Sequence, residues 1–233
     1  ALVTMKHVGL NVAADPFMNS SLCQIKGGLV CVVADDPSMH SSQGEQDTRF
    51  YADFAMVPLF EPVNQQEAYE MMAEAFEVSE KWQVPVILRM VTRLSHSRAH
   101  ITTVTAPRNE NILEKGSPAD WMLLPALARK NYAKMIDKQD DLVSWSNAWE
   151  RNTLKLNPAR KDLAIITSGL GRNYFDENLA DYTAACGEKG LPSILHVAGM
   201  PLPLDKIRAL ADTAETILVI EEGMPFIEKQ LRG

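Results

Sequence analysis

The feature that most constrains this chain is the run Leu29-Val30-Cys31-Val32-Val33-Ala34, apolar and rich in β-branched side chains, which stops abruptly at Asp35-Asp36-Pro37. Successive side chains of a strand point to opposite faces, so a strand with one wet face alternates apolar and polar residues; a run without alternation has both faces covered. Similar short runs recur at 85–91, 163–167, 193–197 and 216–220. Between the first two lies the clearest helical period. Asn64 with Glu67 forms a capping-box-like pair, and Ala68, Met71, Met72, Ala75, Phe76 and Ser79 follow the i, i+3, i+4 spacing of one buried stripe. Strand, helix and strand in this order predict a parallel sheet with right-handed crossovers, hence an α/β fold.

The remaining pattern predicts two α/β units. Residues 2–5 read as a buried strand, followed by a turn at Gly9 and a helix from about Asn11 to Cys23. The polar stretch 38–48 reads as a loop, and 56–59 as a short strand near an edge because Pro58 lacks a backbone donor. From about residue 95 to 161, helical patches at 121–136 and 142–154 alternate with polar residues and prolines, the pattern of a connecting segment. A second unit then begins at strand 163–167. It continues through the turn Ser168-Gly169-Leu170-Gly171, a helix over 174–186 stopped by Gly187, Gly190 and Pro192, a helix over 205–213 and a last helix starting at 226–231. The division is therefore 1–105, 106–160 and 161–233. The chain opens in mid-strand and closes just after a helix begins, so both ends are expected to be cuts in a longer polypeptide. A sheet without its neighbouring strands would expose an apolar edge and either associate, as a dimer, or be a proteolytic remnant.

Composition narrows the function classes. A net charge of −7 without any Lys/Arg-dense stretch argues against nucleic acid or an anionic membrane as partner. No apolar run approaches the roughly 20 residues needed to span a bilayer. Cys23, Cys31 and Cys186 are widely spaced with no Cys-x-x-Cys pair, which encodes neither a disulfide framework nor a zinc or iron–sulfur motif. They read as buried, reduced thiols of a cytoplasmic protein. No metal ligand set is expected in this chain.

In an open parallel sheet, ligands meet the loops at the carboxyl ends of the strands. Two such loops are unusually polar. Lys6-His7-Val8-Gly9-Leu10-Asn11 follows the first strand, and the stretch from Asp35 to Arg49 follows the second. His7 is a candidate for active-site lining, against the alternative of a loop histidine bonded to backbone. Lys6 is balanced between that role and a solvated one. Asn11 caps a helix on the first reading and contacts a cofactor on the second. His40, Gln43 and Arg49 are candidates for substrate binding. Arg49 could clamp a carboxylate through its planar fork, or could pair with Asp47 or Asp53. Met71-Met72 is core packing, and Ser168-Gly169-Leu170-Gly171 lacks the third glycine of a dinucleotide fingerprint, which disfavours a nucleotide-binding domain.

Several long motifs occur in order: the stretch from Val3 to Pro16, then Val33-Ala34-Asp35-Asp36-Pro37 with Met39-His40-Ser41-Ser42-Gln43 and Glu45-Gln46-Asp47, Leu88-Arg89 with residues 92–97, and Leu218-Val219-Ile220-Glu221-Glu222-Gly223. Together they resemble the large subunit of the indolepyruvate:ferredoxin oxidoreductases, a thiamine-diphosphate-dependent family, over nearly all of the chain except its middle. The resemblance implies a truncated parallel-sheet thiamine-diphosphate-binding (pyrimidine-type) domain, followed by a transketolase C-terminal-like α/β domain. It implies a part in oxidative decarboxylation of aryl 2-oxoacids, with coenzyme A taking the acyl group and ferredoxin the electrons. Lys6 and His7 become catalytic candidates, His40, Gln43 and Arg49 substrate-binding ones and Asn11 a cofactor contact. The partners implied are a small beta subunit and ferredoxin, in a homo-oligomer or heterotetramer. The family's pyrimidine-activating glutamate, its diphosphate and magnesium site and its cluster cysteines fall outside this chain, so thiamine diphosphate with Mg would be held largely by other residues and iron–sulfur clusters by others still. The piece alone is then inactive. The alternative is a non-catalytic α/β module kept for subunit association.

Overall fold

The computed structural model describes residues 1–105 and 115–232. Two compact units result, Ala1–Asp140 and Asp141–Gly233. The boundary falls inside a helix, so the stretch read as a connecting segment is divided between the units. Its residues 106–114 lie outside the described residues.

The first unit is built on the parallel strands β1 (Leu2–Lys6), β2 (Val30–Asp35), β3 (Leu59–Phe60) and β4 (Val86–Val91), in the order β1-β2-β4-β3. Around them lie α1 (His7–Val12), α2 (Ala14–Ser20), α3 (Thr48–Ala55), α4 (Gln65–Trp82), the short α5 (Thr92–Ser95) and α6 (Pro125–Asp137). The register places Lys6 beside Ala34 and Asp35 beside Val91. The carboxyl ends of β1, β2 and β4 therefore form one rim. Val30, Val33, Val86, Ile87 and Leu88 are almost fully buried, as the unbroken apolar runs require, each contributing on the order of 1.5–3 kcal/mol by burial.

The long helix α4 begins as its sequence predicts. The Asn64 side chain accepts from the Glu67 amide at 2.9 Å, while the Glu67 carboxylate reaches back to the Val63 amide at 3.1 Å. Met71 and Ala75 are fully buried. Other expectations are corrected. The stretch 11–23 is two short helices rather than one, and α1 already starts at His7. Asn11 therefore lies inside α1 and caps nothing. Strand 56–59 shrinks to Leu59–Phe60. Helix α3 starts at the last residue of the stretch read as a loop and covers residues for which no element was predicted; Asp47 accepts the Arg49 amide and caps it. Strand β1 is not buried. It pairs with β2 on one side, and Leu2 and Val3 are exposed. Of the three free cysteines only Cys31 is buried; Cys23 and Cys186 are half-buried.

The second unit contains most of α7 (Gln139–Ala148), then β5 (Thr153–Lys155), β6 (Ala164–Ser168), α8 (Leu170–Glu177), α9 (Leu179–Cys186), β7 (Ser193–Val197), the two-residue β8 (Gly199–Met200), α10 (Leu204–Ala211), β9 (Ile217–Ile220) and α11 (Phe226–Arg232). Its sheet order is β5-β7-β6-β9, with β5 antiparallel and the others parallel. The expected helix 142–154 gives way to α7 and β5, since Thr153-Leu154-Lys155 pairs with β7. The expected helix 174–186 is two, α8 and α9, divided at Asn178.

Gly171 shows why the strand-to-helix turn is glycine-rich. A Cβ there would collide with the Ile220 carbonyl oxygen, and backbone cannot step aside. Gly171→Ala is expected to destabilise the second unit by about 1–3 kcal/mol, read as a lower midpoint in urea unfolding. His196 is buried between Thr153 and Thr167, with the Thr167 hydroxyl 2.6 Å from Nδ1. Burial, reinforced by the Arg172 charge, pushes its pKa down to about 4. The folded unit thus excludes a proton that the unfolded chain binds below the ordinary histidine value of about 6.5. Stability from this source is complete above that value and falls as pH drops toward 4. Thermal unfolding between pH 7 and 4 should show this loss, and His196→Gln, which keeps a hydrogen-bonding group but cannot charge, should flatten it.

Candidate functional site

The site grows from the tandem aspartates at the end of β2. Asp35 is the last strand residue and Asp36 the first of the loop, and their carboxylates serve separate sets of partners. Asp35 faces the core, where it joins a buried charge network. The Arg89 guanidinium, on β4, donates to Asp35 at 2.6 Å and to Glu61 at 2.6 Å, with Asp47 at 3.8 Å. Arg49 donates through Nε to both Asp47 oxygens, at 2.9 and 3.0 Å. Asp35 also accepts the Thr48 amide and hydroxyl, each at 3.0 Å. All five charged residues are at most 4% exposed.

Two guanidinium groups here face three carboxylates. Burial raises the Asp35 pKa above the usual carboxylate range even though Arg89 opposes the shift. Burial also works against ionisation of Asp47, but its bonds to Arg49 and the Arg89 charge hold its carboxyl low. Arg89 resists the same burial because Glu61, Asp35 and Asp47 surround it, and its pKa is raised. Geometrically, the network ties β2, β4, Glu61 and the start of α3 together, anchoring the return end of the loop that leaves β2.

Asp36 organises the outgoing end. Its carboxylate accepts from the Thr92 hydroxyl at 2.6 Å, the Ser41 amide at 2.8 Å and the His40 amide at 3.2 Å. The Thr92 bond, then the Ser41 amide, hold its carboxyl well below the usual range. Lys6 Nζ lies 3.8 Å from this carboxylate and donates to the Ser42 hydroxyl at 2.7 Å, with the Ser41 hydroxyl at 3.4 Å. His7 is fully buried, and its Nε2 lies 3.1 Å from the Gly44 carbonyl. A carbonyl only accepts, so Nε2 carries a proton. Buried Nδ1 has no hydrogen-bond partner among the described residues.

Lys6 and His7 thus converge with loop residues 40–44. His40 and Gln43 lie in the same loop with exposed side chains. Arg49 does not join them, since its guanidinium is buried on Asp47, the ion-pair alternative of the sequence reading. Asn11 sits apart from the cluster at the far end of α1. It accepts the Tyr51 hydroxyl at 2.7 Å and lines a cleft with Ala14, Asp15, Met18, Phe50 and Phe54. Sequence reasoning gave no role to Asp36, Thr92, Arg89 or Glu61. The Asp-Asp doublet closing an apolar strand was the available signal, because adjacent residues at a strand end point to opposite faces.

The half-exposed Lys6 ammonium beside the Ser41 and Ser42 hydroxyls is a group with the charge and donors to meet an anion, whereas His7 is sealed behind the loop. Among the described residues, no group of three or more His, Cys, Asp or Glu could hold a metal ion. No helix among them is long and apolar enough to cross a membrane.

No family model matches the chain. Along its whole length it is 37% identical to the indolepyruvate oxidoreductase subunit IorA of Archaeoglobus fulgidus and 38% identical to that of Thermococcus kodakarensis. The IorA of Methanothermobacter thermautotrophicus is 36% identical over 97% of the chain. The chain spans only about 36–37% of the length of these curated relatives. Among solved structures, the 2-oxoglutarate:ferredoxin oxidoreductase of Magnetococcus marinus superposes on 94% of the chain, and on 45% of its own, with a TM-score of 0.67 at 17% identity. A split-gene transketolase superposes on 95% of the chain, and on 57% of its own, with a TM-score of 0.52 at 14% identity. These two likenesses establish the α/β fold expected from the apolar runs.

The buried network carries its own test. Arg89→Met would leave Asp35 and Glu61 without their shared cation in the core, and removing one partner of a buried ion pair costs about 3–5 kcal/mol. Denaturant unfolding should register that loss. Adding Asp35→Asn and Glu61→Gln to Arg89→Met should recover part of it, because the stranded charges are gone.

Proposed function

We propose, on the premise that this chain is the relative of one stretch of the IorA subunit, that it forms the substrate-facing side of the catalytic centre in a 2-oxoacid:ferredoxin oxidoreductase acting on aryl 2-oxoacids. The observation that carries the reading is the convergence of Lys6, His7 and the loop 40–44 at the carboxyl rim of a parallel sheet. A 2-oxoacid brings a carboxylate. Lys6, with the Ser42 hydroxyl beside it, supplies a cation and a hydrogen-bond donor for that group. His40 and Gln43 line the mouth of the same loop. Arg49 has no part in the binding; it acts beneath the loop as a support.

When bound, thiamine diphosphate supplies the carbon nucleophile for decarboxylation. This chain's share is orientation. His7, held by the Gly44 carbonyl, backs the loop that carries Ser41 and Ser42 from within the unit. An aryl substrate, coenzyme A as acyl acceptor, ferredoxin as electron acceptor, a small beta subunit and a cytoplasmic setting complete the reading, and all belong to the whole enzyme. Mg and the clusters would be held elsewhere in it, and the chain by itself would not turn over substrate.

The test uses the complete subunit assembled with its partner and reads indolepyruvate-dependent reduction of a low-potential acceptor. Lys6→Met should raise KM for the oxoacid roughly ten- to a hundredfold, the loss of one charge-assisted bond of about 1.5–3 kcal/mol. An unchanged KM would remove Lys6 from the substrate site and with it the main support for this reading.

A further inference from the structure

We infer that Asp36 is the positioning residue of this site, the group that sets the loop 37–42 in the one conformation that brings the Ser41 and Ser42 hydroxyls to Lys6. The inference rests on the proposed oxoacid site and adds to it a residue that touches none of the reacting atoms. Asp36 is 2% exposed although it sits at the head of an otherwise open loop. Its two oxygens take amides from His40 and Ser41 and hydroxyls from Thr92 and Ser41, with the Lys6 ammonium at the border of the same cluster. A carboxylate only accepts, and every group turned toward it here is a donor or a cation.

The loop needs such a clamp because its backbone is strained. Ser38 and Met39 adopt left-handed conformations, with φ of 64° and 56°. Neither is a glycine, and such residues persist only where the surroundings over-determine them. The Asp36 bonds to His40 and Ser41, immediately beyond the strained pair, do so. They turn the chain back, so that Ser42 reaches Lys6 at 2.7 Å. Thr92 fixes the carboxylate from the β4 side, donating also toward the Asp35 carbonyl at 3.2 Å. Three strand ends, β1, β2 and β4, thereby meet at one side chain.

Asp36→Asn is nearly isosteric but replaces one acceptor oxygen by a donor. In the chain itself, hydrogen exchange read residue by residue should speed up at the His40 and Ser41 amides by tenfold or more, while the amides of β2 and β4 stay protected. Thr92→Val, which removes one hydroxyl and leaves the carboxylate, should give a smaller increase at the same two amides. In the assembled enzyme, Asp36→Asn should raise KM for the oxoacid about tenfold with kcat within twofold. Combined with Lys6→Met it should add nothing, because both act through one contact. Unchanged exchange at His40 and Ser41 overturns the positioning role whatever the kinetics. Faster exchange with fully additive KM effects also overturns it, since Asp36 would then not act through Lys6. Faster exchange with Lys6→Met kinetically silent sinks the oxoacid reading instead and leaves Asp36 as a clamp of the loop alone.

Discussion

The structure of the rim depends on one buried cation. Arg89 stands on the central strand β4, almost sealed from water, and its guanidinium is the meeting point of carboxylates from β2, from the segment after β3 and from the cap of α3. Buried charges are costly unless paired, and a guanidinium offers donors in a planar fork that serves several acceptors at once. The network therefore works less as a source of stability than as a specification. Replacing it with apolar groups of equal volume need not weaken the fold, but it would release the register between the strand ends and the loop above them. What the charge network secures is the direction from which residues 45–49 return to the sheet.

That return determines what the loop can be. A connection of this length, free at both ends, would sample many conformations, and ordering each residue costs about 1–2 kcal/mol of backbone entropy. Here the outgoing end is tied through Asp36 and the returning end through Asp35, Asp47 and Thr48. Only the middle faces solvent, where Ser38, Met39, His40, Ser41 and Gln43 are exposed. Adjacent aspartates thus divide the labour: one looks into the core and anchors, the other looks out and shapes. The arrangement holds Lys6 and the two serines in one geometry, through the Asp36 bond to the Ser41 amide and the Lys6 bond to the Ser42 hydroxyl.

How much of this was visible in the sequence follows from the range of each interaction. The strands were, because burial on both faces writes an unbroken apolar run into consecutive residues, and helix α4 was, because its stripe repeats within one segment. The site was only half visible. Lys6 and His7 stood out as polar residues directly after an apolar strand, and the structure brings both to the loop 40–44. Arg49 was ambiguous because a guanidinium serves a substrate carboxylate and an internal one equally well. The choice depends on Asp47 capping the helix that carries Arg49, and that helix was not predicted, Arg49 being read as the end of a polar loop. Glu61 and Arg89, 28 residues apart, give no local sign of their bond. The apolar letters of β1 read as a buried strand, and only the reading that its sheet lacks neighbouring strands anticipated an exposed apolar edge; among the described residues β1 pairs with β2, and Leu2 and Val3 are exposed.

The pairing of Asp35 and Asp36 also explains why an acidic doublet can stand where an anionic substrate is expected. Two carboxylates at a site for a third would repel it if both were free to project outward. Neither is. The negative charge of Asp35 is paired with Arg89 inside the core. The charge of Asp36 is absorbed by two amides and two hydroxyls before it reaches Lys6, which approaches no nearer than 3.8 Å. Lys6 spends its short bond on the Ser42 hydroxyl, a neutral group that a substrate carboxylate could displace or share at small cost. Lys6 and Asp36 form only a long ion pair at 3.8 Å, and the shorter Lys6 bond goes to the neutral Ser42 hydroxyl.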